Sequence, residues 1–193
     1  EGLELFEKVG DLQGTLRASL HQARALGRSG ENMKALESAQ EVENTARETN
    51  TTPIVIDALR IQSEAHRLLG DLELALKKVE TAIELVEDQR LPYAEGCCWR
   101  TLGKVQRDRG FEWADRAGMA FEKSQKIFRD HDCQHALAVT CREFAEFLFG
   151  VEEPRLAEES LSIAIELFES LKSSNDLQIT RELLEKGGHH GTS

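Results

Sequence analysis

The chain has 193 residues, of which 40% are apolar and 31% charged, with three prolines and a net charge of −11. That balance fits a soluble, helix-rich protein, and with no apolar run of about 18 residues it excludes a membrane-spanning helix. The acidic excess disfavours nucleic acid, whose binding depends on neutralising phosphates.

The chain begins at Glu1 with neither a methionine nor a signal peptide. Apolar spacing predicts a helix over 2–9, read as the last helix of a repeat whose first helix is missing, as in a piece of a longer protein. Helix pairs follow. Their first helices are expected over 12–28, 53–69, 92–109 and 134–149, and their second helices over 31–48, 71–88, 112–130 and 154–172. Thr51-Thr52-Pro53 and Pro92 mark helix entries, where a missing N–H costs little. Ser173-Ser174-Asn175-Asp176 offers N-caps for a last helix over 175–186. The segment 187–193 reads as a flexible linker or an appended tail. The rest, 1–186, reads as one domain.

Gly30, Gly70, Gly110 and Gly150 stand forty residues apart, a period that marks stacked supersecondary units. Each is expected to end a first helix, because glycine tolerates left-handed backbone angles. Small or apolar residues keep the same register: Ala18, Ala58, Cys98 and Ala138, then Ala25, Ala65, Val105 and Ala145. An alanine follows the first two glycines at five residues (Ala35, Ala75) and the last two at seven (Ala117, Ala157). Two longer turns are therefore expected, with the period restored by a shorter connection. The predicted fold is all-α: a right-handed superhelical solenoid of antiparallel helix pairs. It has about four repeats, a partial N-terminal helix and a C-terminal capping helix.

Trp99-x-x-Leu102-Gly103 in a first helix and Ala117-x-x-x-Phe121 in a second resemble the signature of tetratricopeptide (TPR) repeats. The phrases beginning at Leu3, Gly70 and Ile163 are similar to the forty-residue variant of that family. The resemblance covers about 1–172. It implies a non-catalytic binding module inside a larger bacterial signalling or transcription regulator; eukaryotic adaptors such as kinesin light chains also carry such repeats. Two departures stand out: Gln106 where the family has an aromatic, and Glu143 where it has a small residue.

Charge separates by helix. The four first helices sum to +4, and the four second helices, counted with their flanking residues over 31–49, 71–89, 111–131 and 153–173, sum to −10. The family places first helices on the concave face, which predicts a basic groove about 40 Å long with helices about 10 Å apart. The forty-residue ruler sets Arg60 beside Arg100, Arg67 beside Arg107, and Arg24 and Lys104 about Glu64. Two readings are open. One is a groove for an acidic protein or peptide, or an anionic small molecule, held by Arg24, Arg60, Arg67, Arg100, Lys104 and Arg107. In the other, these cations pair with acids such as Asp57, Glu64 and Asp108. Phe144, Phe147 and Phe149 cannot all share one helix face. Phe147 is the candidate apolar anchor, unless the terminal helix covers the cluster.

No catalytic constellation is present, and no cofactor or metal is expected. His131, Cys133 and His135 lack the matching half of a zinc site. The four cysteines form no C-x-x-C pair, which fits a reduced, cytoplasmic setting. The expected function is protein–protein interaction or effector sensing. A small-molecule receptor and a passive dimerisation scaffold, with a homodimer as its state, are the alternatives.

Overall fold

The computed structural model describes residues 10–188. Among these are nine α-helices and no strand. They are α1 (Leu12–Arg28), α2 (Asn32–Glu48), α3 (Thr52–Leu68), α4 (Leu72–Glu87), α5 (Pro92–Asp108), α6 (Ala114–Asp130), α7 (Gln134–Gly150), α8 (Pro154–Ser170) and α9 (Ser174–Gly188). A single 3-10 turn, Phe111–Trp113, precedes α6. The helices pack as antiparallel pairs. The expected helix over 2–9 and the tail from 189 lie outside the described residues. The chain divides into two compact units, Glu1–Ala94 and Glu95–Ser193.

Helix length is set by where the backbone turns left-handed. Positive φ occurs at Gly10, Gly30, Asn50, Gly70, Arg90, Gly110, Asp132, Glu152 and Lys172. These fall every twenty residues, except for one interval of twenty-two between Gly110 and Asp132. Six helix ends close with the same bond, an N–H reaching back five residues. It runs from Glu31 to the Leu26 carbonyl, Thr51 to Ala46, Asp71 to His66, Cys133 to Phe128, Glu153 to Leu148 and Ser173 to Phe168, at 2.8–2.9 Å. That closure satisfies carbonyls that a helix end otherwise leaves open. Asp11 and Asp71 cap the next helix start, each accepting from a backbone N–H three residues on.

This corrects the expected role of the fourth glycine. Gly150 is the last residue of α7, and the left-handed residue is Glu152. The two extra residues enter once, at the 3-10 turn after Gly110, and the register stays shifted by two from there on. No later connection shortens to restore it. At the Gly110 turn the backbone is extended in ψ, at φ 111° and ψ 179°, and the five-residue closure is replaced by a Trp113 N–H bond to the Gly110 carbonyl.

Within each pair the backbones meet at small residues. Ala35, Ala75, Ala117 and Ala157, the fourth residue of each second helix, are all essentially buried. One turn later the buried residue grows from Ala39 to Val79, Phe121 and Leu161. Room for the largest comes from glycine: a Cβ on Gly103 would lie 2.9 Å from the Phe121 ring, and one on Gly96 2.6 Å from Phe128. Buried hydroxyls join helices within a pair. Ser63 donates to the Ala75 carbonyl, Ser124 to Gly96 and Ser160 to Cys141. Cys97, Cys98 and Cys141 are buried thiols, and burial pushes the Cys141 thiol up to about 11.

Among the described residues of the first unit, Glu43 on α2 is a nearly buried carboxylate. It accepts from Gln62 at 2.8 Å, Arg47 at 2.8 Å and Lys78 at 3.3 Å, on α3, α2 and α4. Burial raises its pKa, but the Gln62 and Arg47 hydrogen bonds and the Lys78 charge outweigh this and hold it below the usual carboxylate range.

Two outcomes follow from this packing. Gly96→Ala should destabilise the protein by about 1–3 kcal/mol through overpacking against Phe128. Gly118→Ala, whose Cβ would meet only an ordinary 3.8 Å contact, should stabilise it by about 0.5–1 kcal/mol through helix propensity. Denaturant unfolding of the two variants checks the opposite signs. The depressed Glu43 pKa means its contribution is complete above the unfolded-state value and is lost as pH falls through the folded one. Glu43→Gln should therefore flatten the acid limb of a urea-midpoint profile against pH.

Candidate interaction face on the first helices

The first helices α1, α3, α5 and α7 carry the cations singled out in the sequence. In the first unit, Arg24 on α1 reaches across to Asp57 on α3 at 2.8 Å, and Arg60 meets the same carboxylate at 3.4 Å. Arg67 pairs with Glu64 at 2.9 Å. The Arg60 and Arg67 side chains are only 13% and 12% exposed. They lie folded onto the helix surface beside acids of their own helix.

In the second unit, Arg100, Lys104 and Arg107 form one strip along α5, at a spacing that puts them on the same helix face. Facing them on α7 are Glu143 and Glu146. Arg100 and Lys104 approach Glu143 at 3.5 and 3.6 Å, and Arg107 approaches Glu146 at 3.7 Å. Arg107 also donates to Asp108 at 2.7 Å. Glu146 is half-exposed. Partial desolvation, then the neighbouring Glu143 charge, raises its pKa despite Arg107, Arg142 and Lys104. The face is thus a mixed strip of ion pairs in each unit.

Arg100 has a second role, shared with Arg142 at the same place in α7. Arg100 donates to the Ala136 carbonyl, and Arg142 to the Asp176 carbonyl, each at 3.4 Å. Each acceptor is the third residue of the next first helix. Each guanidinium also lies over the equivalent phenylalanine of the intervening second helix, Phe128 at 5.8 Å and Phe168 at 5.4 Å. Arg142 further pairs with the Asp176 carboxylate at 3.0 Å. Burial raises the Asp176 pKa, but hydrogen bonds from Ser173, Arg142 and His135 outweigh it and hold the group low. These arginines staple successive hairpins together.

Phe147 is 6% exposed, which corrects its reading as an exposed anchor. Its ring packs 6.0 Å from both Phe121 and Phe144. With the two-residue shift, Phe147 occupies the register of Ala65 and Val105, both buried. Phe149 is covered from α9: a Cβ on Gly187 would fall within 2.5 Å of its ring. Glu143, which the sequence marks only as a departure from the family pattern, and Glu146 are the carboxylates that the forty-residue spacing does not set opposite these cations. The signal that finds them is the left-handed residue at Glu152, because counting from there sets Glu146 in register with Lys104 and Glu64.

His135 faces Asp176 at 3.2 Å, while the Cys133 thiol donates to the His131 carbonyl. Among the described residues no three His, Cys, Asp or Glu side chains converge to hold a metal ion. None of the described helices is long and apolar enough to cross a membrane.

A variant pair tests the staple. Arg142→Ala should cost about 1–3 kcal/mol, the scale of lost hydrogen bonds to a charged group. Arg155→Ala, at a 90% exposed side chain paired to Glu159, should change stability by less than about 0.5 kcal/mol. Thermal unfolding of both separates a structural arginine from a surface one.

No family model and no curated protein sequence matches this chain. Solved structures do. BtubC (BKLC) from P. vanneervenii superposes with a TM-score of 0.70 at 11% identity, over 97% of this chain and 86% of that one. A Podosopora anserina kinesin light chain protein with nearly identical TPR-like repeats superposes with a TM-score of 0.63 at 16% identity, over 90% and 93% of the two chains. A single-substitution variant of the latter gives 0.62. At these identities the likeness is one of fold, and the fold is that of TPR-like helical-repeat proteins.

Proposed function

We propose that this chain is a non-catalytic protein-interaction module that receives an acidic protein segment on the first helices α5 and α7 of its second unit, as part of a larger regulator. Folds of this kind generally mediate protein–protein interaction, which supports the first half of that reading. The regulator setting rests on the sequence resemblance. The observation that carries the choice of partner is the α5 strip. Three cations at successive turns meet two carboxylates of α7 at 3.5–3.7 Å, beyond good hydrogen-bond length. Glu146 is disfavoured as a carboxylate by desolvation and by Glu143. A partner carboxylate arriving with its own chain can displace Glu146 from Arg107.

Lys104 and Arg107 are the residues to vary, since Arg100 also holds α7 in place. A panel of short acidic, neutral and basic peptides of matched apolar content is titrated against wild type and Lys104→Gln/Arg107→Gln. Acidic peptides should bind preferentially, weaken with added salt, and lose about tenfold affinity in the double variant, equivalent to about 1.4 kcal/mol, at an unchanged melting temperature. Equal binding of acidic and basic peptides, or full retention by the double variant, overturns the reading.

A further inference from the structure

One helix of the second unit is held less tightly than the others. Each of α1 to α8 buries several apolar side chains, whereas among the described residues α9 is fully buried only at Thr180 and Gly187. Its Leu177, Leu183 and Leu184 are partly buried against the two apolar clusters beneath them. Polar contacts supply much of the rest. Asp176 meets Arg142 and His135 of α7 at 3.0 and 3.2 Å, and Arg181 meets Glu169 of α8 at 2.6 Å. Elements with so little buried surface open most readily.

The connection that leads to α9 is also able to straighten. The connections after α1, α3 and α5 contain Gly30, Gly70 and Gly110, and those after α2, α4 and α7 lead into Pro53, Pro92 and Pro154. Both residue types oppose continuation of a helix. The connections after α6 and α8 have neither. After α6 the chain enters α7, which is packed against α6, α8 and α9, but after α8 it enters α9, which among the described residues packs only on α7 and α8. Leu171 is already right-handed, at φ −82° and ψ −5°, while Lys172 is left-handed at φ 55°. Bringing Lys172 and Ser173 to helical angles exchanges the closure bond from the Ser173 N–H to the Phe168 carbonyl for ordinary helix bonds. It also releases the left-handed strain and fuses α8 with α9 into one helix.

A fused helix carries α9 off its own hairpin and bares both Phe149 and the α9 leucines, which is unfavourable in water. A second chain in the same state removes both exposures, each α9 covering the other's hairpin about a twofold axis. We propose that this chain dimerises by exchanging α9, so that the face of α7 and α8 covered by its own α9 is a docking site for the α9 of a second copy. The occupant is a second copy because the contacts that seat α9 belong to this chain's own sequence, among them Asp176 on Arg142 and Gly187 against Phe149.

The test uses the full chain, held a few degrees below its melting temperature at rising concentration so that exchange equilibrates. Light scattering should show a monomer passing reversibly into a dimer. Glu169→Cys/Arg181→Cys, in a Cys133→Ser background, is then joined with a short bismaleimide. Monomer should cross-link within a chain and dimer between chains, because in a fused helix the two positions lie twelve residues apart along one rod. Lys172→Gly relaxes the left-handed turn and weakens a continuous helix, and should weaken the dimer at least about tenfold. Ser173→Ala removes the Ser173 bond to Asp176 and favours helix, and should strengthen the dimer. A chain that stays monomeric at every concentration overturns the proposal. So does a dimer cross-linked only within chains, which places the contact elsewhere, or a dimer indifferent to Lys172→Gly.

Discussion

A single left-handed residue at each helix end is the constraint from which the rest of this structure follows. Because it recurs every twenty positions, nearly every helix has the same length of about four and a half turns. Equal helices joined by equal turns return the same face to the same neighbour each time. The same-register alanines Ala35, Ala75, Ala117 and Ala157 are buried for that reason, and the same backbone bond closes six helix ends. Glycine meets the requirement without strain. Asn50, Arg90, Asp132, Glu152 and Lys172 meet it at a cost of about 1 kcal/mol each, which the surrounding packing outweighs.

On that frame, size is exchanged locally between facing helices. Phe121 and Phe128 in α6 are accommodated by Gly103 and Gly96 in α5, so the second unit is built on aromatic rings where the first uses alanine and valine. The larger rings also give the arginines a surface to lie on. Arg100 and Arg142 each use one ring, one backbone carbonyl and one carboxylate to tie a hairpin to the next. The first unit spends its buried polar groups differently, on the Glu43, Gln62 and Lys78 cluster that joins three helices.

Much of this was legible from the residues, and the errors have one origin. Helix positions, the hairpin pairing and the close contacts at alanine follow from apolar spacing and glycine alone. Asp57, Glu64 and Asp108 were among the acids that spacing placed next to the arginines, and all three hold them. The fourth repeat was misaligned because Gly150 happens to continue a forty-residue ladder, although it ends a helix turn two residues before the true left-handed position. That slip hid Glu143 and Glu146 opposite the α5 cations, and it left Phe147 looking free when it sits in the buried register of Val105. Non-glycine residues in left-handed conformation carry no clear mark in sequence, so Glu152 was not identifiable there.

The sequence by itself determined the helical-repeat class, the length of the helices and the residues that make their buried faces, because each depends on local periodicity and on where the backbone can turn. It also set the separation of a basic from an acidic helix set. Only the tertiary structure decided what each charge does. Arg100 and Arg142 are staples, Arg60 and Arg67 lie against acids of their own helix, and Arg109 and Arg116 share the Trp113 indole. Those fates depend on which side chain a neighbouring hairpin brings within a few ångströms. A shift of two residues in one turn changes every such pairing after it while leaving the local pattern of apolar and polar residues intact.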